Sequence, residues 1–181
     1  MKRIADRAKA QAAMEHFDIL IEDPRWDACD LEPLAQRAVT ATLVHCGIVS
    51  MAVEISLLAC DDARISALNA EFRGQDKPTN VLSWPSEERA APEPGGQPRP
   101  LAAGPGELIA LGDMAIAYDT CLREAQAAGQ PMAAHVTHLV VHATLHLLGY
   151  DHETPQDAAL MEGREVKILG KLSLDDPYRD I

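Results

Sequence analysis

The residues from Pro131 to Leu148, "PMAAHVTHLVVHATLHLL", constrain the fold more than any other stretch of the chain. At about 100° per residue, Val136, Leu139, Val140, Ala143 and Leu147 share one broad helical face, and Val141, Leu145 and Leu148 occupy another. A helix that is apolar nearly all round has to be covered on most sides, so it is expected at the centre of the fold. Between the apolar faces runs a narrow stripe of His135, His138, His142 and His146. Burying imidazoles without partners is costly, so the stripe demands an explanation.

Helix geometry narrows the choice. Residues at i and i+4 stand about 6 Å apart along the axis, close enough for two imidazoles to share one ion at Zn–N distances of about 2.0–2.1 Å. His138 and His146 are separated by about 12 Å of rise and cannot both reach it. Gly149 selects the pair, because a glycine directly after the last periodic residue is a helix C-cap that adopts the left-handed conformation without penalty. The chain then turns through "YD" and can bring His152 back towards His146, completing a set of His142, His146 and His152. Thr154 and Pro155, with Asp157 at capping-box distance, start the next helix at once.

The spacing H-x-x-x-H-x-x-G-x-x-H is that of the metzincin zinc proteases, but where those enzymes carry a glutamate base this chain has Ala143. The metal scaffold is present without the peptidase's proton acceptor. The alternative reading is a polar stripe satisfied by hydrogen bonds inside the core. His135 and His138 read as supporting or buried residues rather than ligands. His16 and His45 carry no signal.

The remaining pattern gives strands at 17–22, 51–59, 79–85 and 107–116. Helices are expected at 31–46 (capped by Asp30), at 63–73 (opened by Asp61 or Asp62) and at 118–128. That order implies a mixed four-stranded sheet packed with helices, in the α+β or α/β class, of which α+β is the one expected. With 181 residues the chain suggests one domain over 17–172. A polar extension precedes it at 1–16, a flexible Pro/Gly-rich surface insertion interrupts it at 86–106, and a tail follows at 173–181.

The formal net charge of −12, from 16 Lys and Arg against 28 Asp and Glu, disfavours a protein that coats nucleic acid, while leaving room for a local basic site. Cys29, Cys46, Cys60 and Cys121 form no C-x-x-C pair and read as reduced thiols. The N-terminal residues lack the apolar core of a secretory signal, and no uncharged apolar run approaches the roughly 20 residues of a membrane helix. A soluble, cytoplasmic protein without a membrane partner is expected.

"HLVVHATLHLLGYDH" resembles the signature of the YbeY family, bacterial metal-dependent endoribonucleases also called rRNA maturation factors, whose usual form is H-G-x-L-H-L-x-G-Y-D-H. The resemblance extends to "LNAEFRGQDKPTNVLSWP" (68–85) and "LGDMAIA" (111–117), in the same order. It covers about residues 50–170. The departures are Ala143 for the usual Gly, Trp84 where Phe is common, and the long insertion.

The resemblance implies a zincin-like fold with the metal site on a central helix and the turn after it. It implies a single-strand-specific endoribonuclease acting in 3′-end maturation of small-subunit 16S rRNA and in ribosome quality control. The metal ligands it implies are His142, His146 and His152, holding one Zn²⁺ per chain, and the motif arginine is Arg73. Ribosomal RNA and the small ribosomal subunit are the implied partners, with ribosomal proteins and a ribosome-assembly GTPase as further candidates. Imidazoles suit nickel or another divalent ion as well as zinc. Arg73 can grip a phosphate through two parallel donors and offset charge in the transition state, although without the resemblance the arginine reads more readily as solvated or ion-paired. Lys77 is a candidate for a backbone phosphate contact, Asp113 for orienting a ligand or capping, and Asp151 for fixing a histidine tautomer.

Overall fold

The computed structural model describes residues 16–49, 51–104 and 106–179. Apart from His16, the expected N-terminal extension lies outside them. Four strands, β1 (His16–Ile21), β2 (Ala52–Cys60), β3 (Val81–Pro85) and β4 (Leu108–Ala117), form one sheet in the order β1-β2-β4-β3. The first two and β4 are parallel, and β3 pairs antiparallel with β4 at an edge, where the terminal Pro85 is tolerated. The helices among the described residues are α1 (Leu31–His45), α2 (Asp62–Arg73), α3 (Tyr118–Ala127), α4 (Met132–Leu147) and α5 (Pro155–Lys171). The result is the mixed four-stranded α+β arrangement that the pattern implies.

Alternation along the strands divides the sheet into two faces. Val53, Ile55, Leu57 and Ala59 of β2 join the main core, whereas Leu58 and Cys60 turn to the other side with Ile65 and Leu68 of α2. Helix α4 lies in the main core. Its Val136, Val140, Leu145 and Leu147 are buried together with Val39 and Leu43 of α1 and Met161 and Ile168 of α5. Each such side chain contributes roughly 1.5–3 kcal/mol on leaving water. The histidine-bearing helix is therefore held by apolar packing on several sides, independently of what its histidines do.

Three details depart from expectation. A 3₁₀ turn over Pro24–Cys29 was not anticipated. Its Trp26 is fully buried and donates its Nε1–H to the Cys60 carbonyl at 3.0 Å. Asp30 stands at the N-cap of α1 but makes no side-chain cap bond. It also ends the preceding turn, and its left-handed backbone (φ 47°) serves to redirect the chain between the two helices. The segment 86–106 contains no helix or strand among its described residues, yet it is tied down rather than free. The Gly95 N–H donates to Asp157 Oδ1 at 2.7 Å, and Gln97 Oε1 accepts from Arg164 Nη2 at 2.7 Å.

At the start of α2 it is Asp61 that caps, accepting from the Arg64 N–H at 2.8 Å. Asp62 instead accepts from the Thr120 N–H, at 2.9 Å, in the first turn of α3.

Candidate metal centre

Helix α4 ends in a Schellman motif. The Tyr150 N–H donates to the Leu145 carbonyl at 3.0 Å and the Gly149 N–H to the His146 carbonyl at 2.9 Å. Gly149 has φ +94°, as its cap position requires. A second constraint was not visible in the sequence: a Cβ at Gly149 would stand 2.7 Å from the Cβ of Arg89. The turn thus packs against the chain leaving β3 and can carry no side chain there. Beyond it, Thr154 caps α5 by accepting from the Asp157 N–H at 3.2 Å.

This turn brings His152 to the helix. Its ring centroid lies 5.3 Å from that of His142 and 5.0 Å from that of His146. One ligating atom from each of the three residues falls within 4.8 Å of the others. The three residues singled out from spacing are therefore brought together, and they could hold a metal ion.

The partners of the Nδ1 atoms decide which nitrogens face inward. His142 Nδ1 lies 2.8 Å from Glu165 Oε1, a carboxylate that can only accept, so Nδ1 carries the proton. His146 Nδ1 lies 2.9 Å from the Tyr150 carbonyl and donates as well. Both Nε2 atoms are then left as acceptors, and they stand 3.1 Å apart. Two lone pairs converging at that distance repel unless a cation lies between them. The separation is close to the roughly 3.3 Å expected of two imidazole nitrogens on one tetrahedral zinc. The donor set fits a metal.

Electrostatics point the same way. Burial, followed by the neighbouring His142 and His152, pushes the His146 imidazole down to about 4, so it is neutral, as a ligand has to be, at ordinary pH. Glu165 is wholly buried. Burial alone would raise its carboxyl, but the hydrogen bonds from His138 and His142 together outweigh that effect and hold the group at about 2. His138 donates from Nε2 to Glu165 Oε2 at 2.8 Å, and the Tyr178 hydroxyl, from the segment after α5, donates to the same oxygen. Burial and this carboxylate push the Tyr178 hydroxyl upward, so it stays a donor.

Glu165 and Tyr178 did not emerge from the sequence reading. A signal existed for the first: Met161, Glu165, Ile168 and Leu169 share the buried side of α5, and a carboxylate on an apolar face needs partners.

The other candidates are placed differently. Arg73 is the exposed last residue of α2, on the opposite sheet face from α4. Among the described residues it has no ion pair and no bond to the histidines. Lys77 is exposed, and its carbonyl accepts from Asn69 Nδ2 at 2.9 Å. Asp113 is exposed on β4 opposite Trp84 and bonds to no imidazole. Asp151 was expected to fix a tautomer. It accepts instead from the backbone N–H of His152, at 2.7 Å, while Glu165 and the Tyr150 carbonyl fix the tautomers. Ala143 is fully buried, so the position of the peptidase base offers only a core methyl group.

Fold and site together define an α+β protein with a three-histidine centre that could hold a metal. The profile described as Endoribonuclease YbeY matches residues 19–173, and the chain belongs to this family. Endoribonuclease YbeY of Ruegeria pomeroyi is 61% identical over 164 residues, covering 90% of this chain and 97% of its own length. The proteins of the same name from Dinoroseobacter shibae and Paracoccus denitrificans are 60% and 53% identical, covering 89% and 96% of this chain and the same shares of their own lengths. A Thermotoga maritima protein determined in solution matches the fold with a TM-score of 0.50 at 20% identity, over 90% of this chain and 99% of that one. No helix among the described residues is long and apolar enough to cross a membrane.

Proposed function

We propose that this chain is a cytoplasmic, zinc-dependent endoribonuclease that cleaves single-stranded RNA and acts in 16S rRNA 3′-end maturation and ribosome quality control. The observation that carries the reading is the convergence of His142 Nε2 and His146 Nε2, 3.1 Å apart with both Nδ1 atoms engaged elsewhere, beside His152. The relatives' shared name, Endoribonuclease YbeY, supplies the substrate class.

A bound zinc ion would supply Lewis acidity towards a phosphoryl oxygen and lower the pKa of a water. His142, His146 and His152 would hold it in a zincin-like arrangement, leaving a coordination position for water or a phosphate oxygen. Glu165 keeps the His142 ring turned and raises its basicity, and the Tyr150 carbonyl does the same for His146. Arg73 has no carboxylate partner among the described residues and is assigned to gripping a phosphate of the RNA strand. Ala143 weighs against a peptidase, because a water attacking a peptide needs a proton acceptor there.

The test uses purified, nuclease-free protein and a single-stranded rRNA fragment. Loss of cleavage in both the His142→Ala and Arg73→Ala variants, with folding retained and zinc lost only from the first, supports the reading. Cleavage that persists unchanged in both overturns it. Cleavage lost with His142 but retained with Arg73→Ala removes the arginine's role alone.

A further inference from the structure

A second cluster of polar groups lies on the far side of the metal turn. The chain carries 28 acidic and 16 basic residues, yet a cavity of about 510 Å³ beside Leu148 and Tyr150 has no carboxylate among the described residues that line it. Arg99, Arg164 and His45 line it, and Lys171 Nζ lies 3.0 Å from His45 Nδ1. Among the described residues, Arg99, Arg164 and Lys171 form no ion pair. Three positive charges gathered without counter-charge in an acidic protein are costly unless something negative joins them.

Arg164 is held ready rather than solvated. Its guanidinium lies over the Tyr150 ring, 4.7 Å from the centroid, and Nη2 donates to Gln97 Oε1 at 2.7 Å. Gln97 also accepts from the Tyr150 hydroxyl at 3.2 Å. The Arg164 Nε is cut off from solvent without a hydrogen-bond partner among the described residues, and the Cys46 thiol also faces the guanidinium. The field reaches His45 as well: burial lowers its pKa, and Lys171, Arg164 and Lys167 lower it further. The other walls are apolar, formed by Leu101, Leu148, Ile48 and Met51. The volume falls in the roughly 300–1,000 Å³ range of clefts that take small ligands.

We propose that this cavity is a nucleotide site, with the phosphate held by Arg164, Lys171 and Arg99 and the base laid against the Leu148 and Leu101 wall. A guanidinium fork suits phosphate oxygens, and its flat outer face suits a base. Tyr150 belongs to both sites, since its ring lines the cavity while its carbonyl holds His146. The nucleotide is accordingly assigned to the RNA strand beside the scissile position, and this last step rests on the ribonuclease reading. The site also gives an acidic chain a local basic contact for a polyanion.

The experiment measures binding of 5′-AMP and of inorganic phosphate to the metal-loaded full-length chain by calorimetry and NMR. AMP has no phosphodiester to cleave, so the readout is independent of turnover. The expected result is AMP binding that tightens at low salt, exceeds that of phosphate, and weakens about tenfold in Arg164→Gln and in Lys171→Gln. Lys171 is exposed, so its variant remains informative should the loss of Arg164 unsettle the fold. No AMP binding, binding unchanged in folded variants, or equal binding of phosphate and AMP would each overturn the nucleotide assignment. A chain that cleaves RNA but fails this test keeps the ribonuclease reading and loses the cavity. A chain that binds AMP as predicted but cleaves no RNA keeps the nucleotide site and loses the RNA strand.

Discussion

The two halves of α4 carry the same residue on the same stripe and put it to opposite use. In the first half, His135 and His138 point Nε2 at carboxylates, Glu124 and Glu165, each at 2.8 Å. In the second half, His142 and His146 spend Nδ1 on Glu165 and on the Tyr150 carbonyl, which leaves Nε2 free and facing inward. The ring nitrogen that the surroundings consume decides whether a histidine is left to support or is free to ligate. Glu165 joins the halves, since one oxygen serves His138 and the other His142. The helix supplies the spacing, and its neighbours supply the tautomers.

The comparison predicts a graded series. The largest effect is expected for His146→Ala, which removes a ligand: zinc affinity falls by more than the roughly 10–100-fold cost of losing an orienting partner, and RNA cleavage is lost. Thermal unfolding with and without zinc reports the same change. The wild type gains about 2.7 kcal/mol when zinc is a hundredfold above its dissociation constant, and this variant gains nothing at that concentration.

Glu165→Gln comes next. The amide keeps the shape but cannot accept from three donors as a charge does, so zinc affinity drops about 10–100-fold in a competition titration. Unchanged affinity would show that the carboxylate packs the core without orienting His142. His138→Phe should lower zinc affinity only severalfold, because Glu165 keeps His142 and Tyr178. An effect as large as that of His146→Ala would dissolve the distinction between the halves.

The smallest effect belongs to His135→Gln. It loosens a link that runs through Glu124 to Asn80 at the start of β3. A loss of about 1 kcal/mol or less in urea unfolding, with zinc binding unchanged, is expected because Glu124 is partly exposed.

Much of the convergence of the three histidines could be read from the chain because it is local. His142 and His146 are one turn apart, Gly149 marks the helix cap, and His152 follows within three residues. The strands were legible for the same reason, since alternation in β2 records one buried face. The sheet order β1-β2-β4-β3 was not legible, because strand pairing is decided between segments far apart in sequence. Tyr178 was equally hidden: it lies beyond α5, outside any periodic element, and only the fold carries its hydroxyl to Glu165. The segment 86–106 shows composition misleading in a specific way. Its prolines and glycines exclude helix and strand, but they say nothing about Gly95 and Gln97 bonding to α5. Asp30 takes the N-cap position that the pattern gave it but makes no side-chain cap bond, because the preceding 3₁₀ turn, unseen in the pattern, sets its backbone first.

The most direct test of the convergent ring nitrogens is X-ray absorption on the zinc-loaded chain, read for the number and identity of its nearest scatterers. The account predicts three imidazole nitrogens at about 2.0–2.1 Å and one further oxygen ligand, with one imidazole fewer in His152→Ala. A shell of one imidazole or none, or a spectrum that His152→Ala leaves unchanged, would contradict it.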